Sequence, residues 1–299
     1  MIFGCGYVGG EVARQAIAAG LRVTALTRNA EKAEVLSRSG IEVVIDDLAS
    51  DAWHGKIPGG ADYVLNAVSS GGRGIEGYRH SYLEGMKSLL TWAAATGPVG
   101  TVAYTSSTSV YPQDGGVRVD ETGSTELATE RGQVLLDAER TLREPGSISA
   151  VVLSGGNARE PYHRYFILRL AGIYGPGRHH LLEQIKGGEV SGNGEHRLNL
   201  IHRDDVVTAI WAAFAAPSGI ANEIFNVSDD GAARKSEVTN WLAMRVGVPA
   251  PHFSGAPAGS RRTITPDRLI SNAKLESTLG WRPLYPTFRE GYEQILASR

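Results

Sequence analysis

The sequence predicts an α/β protein, a Rossmann-type doubly wound parallel sheet with a smaller C-terminal substrate lobe. Three observations predict it. Apolar strand-like runs and helical stretches alternate from Ile2 to Tyr104, as βαβ units do. A glycine-rich turn, Gly4-Cys5-Gly6-Tyr7-Val8-Gly9, stands between the first strand and the first helix. The chain, at 299 residues, is long enough for one large sheet core and a second lobe.

Ile2-Phe3 reads as the first strand, with almost no length before Gly4, so either it is frayed or the natural start lies upstream. In the turn, Gly4 permits the tight reversal, Gly6 lets backbone approach a pyrophosphate, and Gly9 lets the helix pack close to its strand. The helix from Val8 to Ala19, stopped by Gly20, points free N–H groups and its positive dipole end at the phosphates. Gly4, Gly6, Tyr7, Val8 and Gly9 are therefore expected to bind the cofactor. Arg22 to Leu26 gives a second strand, Ala30 to Ser37 a helix, and Ile41 to Ile45 a β-branched strand ending at Asp46-Asp47. Val64 to Val68 forms the fourth strand, Tyr78 to Ala95 a long helix, and Thr101 to Tyr104 the fifth strand.

Helical character returns from Thr129 to Leu142, and Arg164 to Leu170 reads as a buried strand. Between them, Ala150 to Leu153 and Ser154 to Asn157 look like an extra strand and a polar loop. Beyond Gly175 the elements shorten: helices at Leu181 to Lys186, Asp204 to Ala216, Lys235 to Val246 and Phe288 to Ala297, and a strand at Glu223 to Val227. The expected division is a dinucleotide-binding domain over 1–175, with 201–228 returning to it, and a mainly substrate-binding lobe over 176–299.

Composition excludes several function classes. With Lys+Arg 30 against Asp+Glu 32 the net charge is −2, so no global basic field holds nucleic acid or an anionic membrane. Cys5 is the single cysteine; it can form no internal disulfide and reads as a small buried apolar residue. No apolar run approaches about 18 residues, and the N-terminus lacks a basic start followed by an apolar stretch. A cytoplasmic protein with a small-molecule substrate is expected.

Six separated stretches share one pattern: Gly4-x-Gly6-x-x-Gly9, Ser106 to Tyr111, Glu121-Thr122, Arg169 to Arg178, Ile201 to Asp205, and Phe225-Asn226-Val227. Together they resemble the extended short-chain dehydrogenase/reductases, the NAD-dependent epimerase/dehydratase family. The resemblance implies a Rossmann fold, a bound NAD(P), and a substrate lobe built from the C-terminal part. It also implies adenine contacts from Asp47 and Leu48, a cofactor wall from Asn66, Ala67 and Val68, and a homodimer through the two helices at Tyr78–Ala95 and Thr129–Leu142. Cofactor choice follows from charge. An NAD site places a carboxylate after the second strand for the ribose hydroxyls, whereas a 2′-phosphate is held by arginine. Here that end reads Thr27-Arg28-Asn29, with no acid, so NADP is preferred over NAD.

Catalysis in the resembled family uses a tyrosine, a lysine four residues later on the same helix face, and a serine after the fifth strand. None of the eleven tyrosines here has a lysine four residues on. Anchoring on Glu121-Thr122 and Asp137-Ala138-Glu139 puts Arg131 at the tyrosine position and Leu135 at the lysine position. Ser107 keeps the serine place and Tyr111 the Val-Tyr place, so Ser107, Tyr111 and Arg131 are the catalytic candidates. Arg178 resembles a substrate-phosphate contact of sugar-nucleotide enzymes, but Arg197 lies one place off the other, which weakens such a substrate. His179-His180 has no third ligand at sensible spacing, so no metal is expected. His202 reads as structural. Two functions follow: an atypical NAD(P)-dependent oxidoreductase or epimerase-like enzyme, or a non-catalytic NADP(H)-binding sensor.

Overall fold

The computed structural model describes residues 1–72, 74–97, 99–146, 160–255 and 266–298; the expected strand at Ala150 to Leu153 and loop at Ser154 to Asn157 lie outside them. The chain divides into two units. One comprises Met1–Val110, Ala128–Arg169 and Ile210–Phe225; the other comprises Tyr111–Leu127, Leu170–Ala209 and Asn226–Arg299.

The strands of the main sheet are β1 (Ile2–Phe3), β2 (Thr24–Thr27), β3 (Glu42–Ile45), β4 (Ala61–Asn66), β5 (Val99–Ser107), β6 (Tyr162–Leu170) and β7 (Glu223–Val227), all of the first unit except Leu170, Asn226 and Val227. They form one parallel sheet in the order β7-β6-β5-β4-β1-β2-β3. Ile2 of β1 pairs with Ala25 on one side and Leu65 on the other, so the strand order reverses at β1. In an open α/β sheet a crevice forms at the carboxyl ends where the order reverses, and that is where such folds bind ligands.

The helices are α1 (Gly9–Ala18), α2 (Ala30–Arg38), α3 (Gly74–Arg79), α4 (Gly85–Thr96) and α5 (Glu130–Arg143). In α1, Gly9, Val12, Ala13 and Ala16 are buried, an apolar stripe at helical spacing that lies on the sheet. The Asn29 side chain caps α2 by accepting from the Lys32 N–H at 2.8 Å, and Thr129 caps α5 by accepting from the Gly132 N–H at 3.2 Å. The helix expected at Tyr78 to Ala95 begins earlier, at Gly74, and contains a π turn over His80–Glu84.

An aromatic cluster holds the loop after β3 against α4. Phe3 packs on Trp53 at 5.1 Å and Trp92 at 6.1 Å between ring centroids. The Trp53 indole N–H donates to the Leu48 carbonyl and the Trp92 N–H to that of Ile57, each at 3.2 Å. Leu48 is thereby fixed beside β3, and Gly85 makes room for it: a Cβ there would lie 3.2 Å from Leu48 Cδ2.

The second unit is built from short pairs of strands. Gly172–Tyr174 runs parallel to Leu200–His202, Val117–Val119 to Arg268–Ile270, and Glu189–Val190 to His252–Phe253; Arg197–Leu198 runs antiparallel to Ala233–Arg234. Helices at His180–Lys186, Lys235–Val246, Ala273–Leu279 and Phe288–Ala297 cover them. Its core gathers Tyr174, Leu182, Ile185, Val238, Leu242 and Phe288. Tyr174 stacks on Tyr292 at 4.8 Å, over Gly291, where any Cβ would sit 1.9 Å from the Tyr174 hydroxyl oxygen. The sequence reading contains none of the strands of two or three residues beyond Tyr111, because so short a run carries no period. No helix among the described residues is long and apolar enough to cross a membrane.

Candidate functional site

The glycine turn separates into three physical jobs. Gly4 has φ +85°, and a Cβ there would lie 2.5 Å from the Ala67 carbonyl and the Val68 nitrogen, so backbone of β1 and of the loop after β4 meet at that point. At Gly9 a Cβ would lie 2.4 Å from the Gly4 carbonyl oxygen, which is the close approach of α1 to its strand. Gly6 differs. Its Cβ would meet nothing nearer than the Gly4 oxygen at 3.8 Å and Lys32 Nζ at 3.9 Å, so the space its missing side chain leaves belongs to the cleft. α1 starts without a side-chain cap; the Gly10 N–H donates to the Gly6 carbonyl at 2.9 Å and the Glu11 N–H to that of Val8 at 3.0 Å, and the positive end of the helix dipole lies at this turn.

The cleft at the carboxyl ends of β1, β2, β3 and β4 has a volume of about 450 Å³. Of the residues expected at the cofactor, Gly4, Gly6, Thr27, Arg28, Asp47, Leu48, Ala67 and Val68 line it; Tyr7, Val8, Gly9 and Asn66 do not. Asn66 is fully buried at the end of β4, where its carbonyl accepts from the Thr105 hydroxyl at 3.3 Å. Lys32 also lines the cleft, and the sequence reading missed it. The available signal was spacing: Lys32 follows Arg28 by four residues, in the first turn of a helix that opens at the strand ends. Its half-buried ammonium forms no ion pair among the described residues.

Two carboxylates face these cations. Asp46 is held by Lys56 at 2.8 Å and Asp47 by His80 Nε2 at 3.0 Å. Partial burial works to raise the Asp47 pKa, but the His80 and Ala49 hydrogen bonds and the Arg28 charge hold it below the usual carboxylate value. The chain has no acid after β2, yet the fold supplies one: Arg28 Nη1 lies 3.4 Å from Asp47 Oδ2. Cys5, 2% exposed, has its thiol pKa pushed up by burial, with the nearby Lys32 charge opposing.

Residues 4–146 match a family of NAD(P)H-binding domains, and residues 155–228 match the NAD-dependent epimerase/dehydratase family. The chain carries both family domains. Protein YeeZ of Escherichia coli (strain K12) is 28% identical over 95% of each chain. A conserved protein of unknown function from Silicibacter pomeroyi DSS is 26% identical, with TM-score 0.75 over 99% of this chain and 97% of that one. MoeE5, solved with UDP-glucose and NAD, shares the fold at 22% identity, with TM-score 0.76 over 100% of this chain and 97% of its own.

The nicotinamide-end candidates of this NAD(P)-binding protein fall in different settings. Ser107 ends β5, partly exposed, and its Oγ accepts from the Ser109 N–H at 3.1 Å, which leaves the hydroxyl proton to give. The first turn of α5 packs on the turn that follows: a Cβ at Gly132 would lie 3.4 Å from the Ser109 carbonyl. Arg131 therefore starts the helix that meets Ser109, with its guanidinium carbon 5.6 Å from the Tyr78 ring centroid. Leu135 is 1% exposed. Tyr111 belongs to the second unit, 1% exposed, and its hydroxyl donates to Asn226 Oδ1 at 2.9 Å, while Glu121 accepts from the Asn226 N–H at 2.6 Å.

In the second unit Arg197 pairs with Asp267 at 2.7 Å, and His202 is wholly buried. Among the described residues no group of three or more His, Cys, Asp or Glu is placed to hold a metal ion.

Proposed function

We propose that the protein is an NADP(H)-dependent oxidoreductase of the atypical extended short-chain class, acting on a small carbonyl or alcohol substrate. The observation that carries this reading is the pair of cations, Arg28 and Lys32, on the wall of a cleft whose Gly6 stands open for a pyrophosphate. The uncapped start of α1 and Gly6 take the pyrophosphate, Arg28 forks onto the 2′-phosphate, and Lys32 adds charge between them. Leu48, Ala67 and Val68 give the adenosine half an apolar wall. When bound, the dinucleotide supplies the hydride. The chain's own part is to place the substrate oxygen and to handle its charge and proton. Arg131, whose guanidinium is all donor and no acceptor, stabilises negative charge on that oxygen, and the Ser107 hydroxyl or water gives the proton. Tyr111, with its phenol committed to Asn226, acts by position.

A second reading, an NADP(H) sensor, draws on Leu135: a leucine that is 1% exposed stands where the resembled family has the lysine of its proton relay. The two readings part in experiment. Calorimetric titration is expected to show NADP(H) binding at least tenfold tighter than NAD(H), with Arg28→Ala removing the difference. Equal binding of the two cofactors defeats the NADP assignment. In a panel of carbonyl compounds, NADPH consumption is expected, and one stabilising donor is worth about 10²- to 10³-fold in turnover, so Arg131→Ala falls by that factor with cofactor affinity kept. Tight NADPH binding with no turnover across the panel turns the assignment to the sensor.

A further inference from the structure

Arg28 does more than wait at the cleft. From the end of β2 it reaches the loop after β4, where its guanidinium lies directly on the Cα of Gly71. A Cβ at Gly71 would fall 1.4 Å from Arg28 Nη2 and 2.5 Å from Cζ. On the other side its Nη1 contacts Asp47. Both anchors are held without it. The Gly71 N–H donates to Ser81 Oγ at 3.2 Å, and the Ser81 hydroxyl donates to the Gly77 carbonyl at 2.9 Å. Asp47 Oδ2 keeps His80, and Oδ1 accepts from the Ala49 N–H at 3.0 Å.

We propose that Asp47 and Gly71 form a resting latch for Arg28, an internal competitor for the cation that takes a 2′-phosphate, so that these two residues set how strongly the cleft prefers 2′-phosphorylated nucleotides. The proposal rests on the NADP reading. The resting contact with Asp47 is one long, half-exposed pair, and such pairs are worth a factor of about 1.4 to 5 in an equilibrium. A 2′-phosphate carries close to two charges and accepts both arms of the guanidinium fork, so it draws Arg28 off the latch. A ribose hydroxyl offers no charge and leaves Arg28 where it rests. Gly71 matters because it alone has no side chain to occupy the resting place of the guanidinium, and its φ lies outside the left-handed region, so alanine fits its backbone.

The test is calorimetric titration of 5′-AMP and 2′,5′-ADP, which differ only in the 2′-phosphate; the ratio of their dissociation constants cancels any change at the adenine. Asp47→Asn removes one anchor. Gly71→Ala displaces the flexible end of Arg28 and leaves every charge in place. Both are expected to raise the ratio about 2- to 5-fold over wild type, and neither to do so when combined with Arg28→Ala. Melting curves matching wild type show that both variants fold. A wild-type ratio near one defeats the NADP reading itself. A large wild-type ratio that neither variant moves defeats the latch alone. A rise in Asp47→Asn with none in Gly71→Ala also defeats it, because the aspartate then acts only by repelling the phosphate.

Discussion

Glu139 on α5 offers the sharpest test of how the sheet and the candidate site are joined. Its side chain is 2% exposed, and Arg169 opposite it on β6 is 5% exposed. Arg169 Nε donates to Glu139 Oε1 at 3.0 Å and Nη2 to Oε2 at 2.6 Å, while the Ser106 hydroxyl donates to Oε1 at 2.6 Å. Glu139→Ala removes the carboxylate and leaves a guanidinium in the interior of the first unit. Breaking a buried pair from one side costs about 3–5 kcal/mol, against a total stability of about 5–15 kcal/mol. At about 2–4 °C per kcal/mol, the melting temperature falls by about 6–20 °C. The assay is thermal and urea unfolding followed by far-UV circular dichroism. A companion, Glu139→Leu with Arg169→Met, removes both charges and is expected to recover most of the loss, since apolar replacements of similar volume are tolerated where a buried charge that has lost its carboxylate is not. A loss under about 1 kcal/mol in Glu139→Ala, or a double variant no more stable than the single, refutes the reasoning.

Three further outcomes follow from local geometry and burial. Gly4→Ala puts a side chain at φ +85° and 2.5 Å from three backbone atoms; the conformation alone costs about 1–2 kcal/mol, so melting temperature and dinucleotide affinity fall together. Gly6→Val, whose Cβ meets no atom within 3.8 Å, keeps its melting temperature and loses dinucleotide affinity in the same thermal-shift and calorimetric assays; a melting loss equal to that of Gly4→Ala would show the two roles misassigned. Burial, with the Arg203 charge adding and Asp204 opposing, lowers the His202 pKa from 6.5 to about 4. A folded pKa below the unfolded one gives stability that is complete above pH 6.5 and drains as pH falls toward 4, by up to about 3 kcal/mol. His202→Asn, which keeps an acceptor where His202 Nδ1 takes the Asp204 N–H at 3.3 Å, removes that slope in melting curves recorded from pH 7 to 4.5; an unchanged slope excludes His202 as its source.

The parts of the fold legible in the sequence are those specified by neighbours in the chain. Helices at Lys235–Val246 and Phe288–Ala297 have the bounds expected, because local chemistry ends them: Gly247 sits in the left-handed region after the first, and Thr287 with Glu290 forms a capping box before the second. The glycine turn is legible for the same reason, since the Gly4 φ and the approach of Gly9 to the Gly4 carbonyl act within nine residues. Contacts made across the fold are not. Val117–Val119 finds Arg268–Ile270 about half the chain away, and no period in three residues announces it. Arg28 and Asp47 stand 19 residues apart, and the sequence showed no carboxylate at the end of β2. Pairing of β2 with β3, Thr27 opposite Ile45, brings the two ends level and supplies one.

The same contrast bears on what α5 does for the site. Arg131, Leu135 and Glu139 follow one another at four-residue spacing and share a helix face. Leu135 at 1% and Glu139 at 2% exposure serve the packing against the sheet, so two of the three positions on that face are structural. Arg131 alone retains access, with its guanidinium against the Tyr78 ring. A phenol beside an ammonium performs two tasks at one point: it carries charge and passes a proton. A guanidinium performs the first and, at neutral pH, never the second. In the proposed oxidoreductase the two tasks separate, with charge stabilisation assigned to Arg131 and the proton to Ser107 or water. The cofactor cleft is common to enzyme and sensor. The distinction between them rests on whether Ser107, with its hydroxyl proton unspent, meets a substrate oxygen that Arg131 also faces.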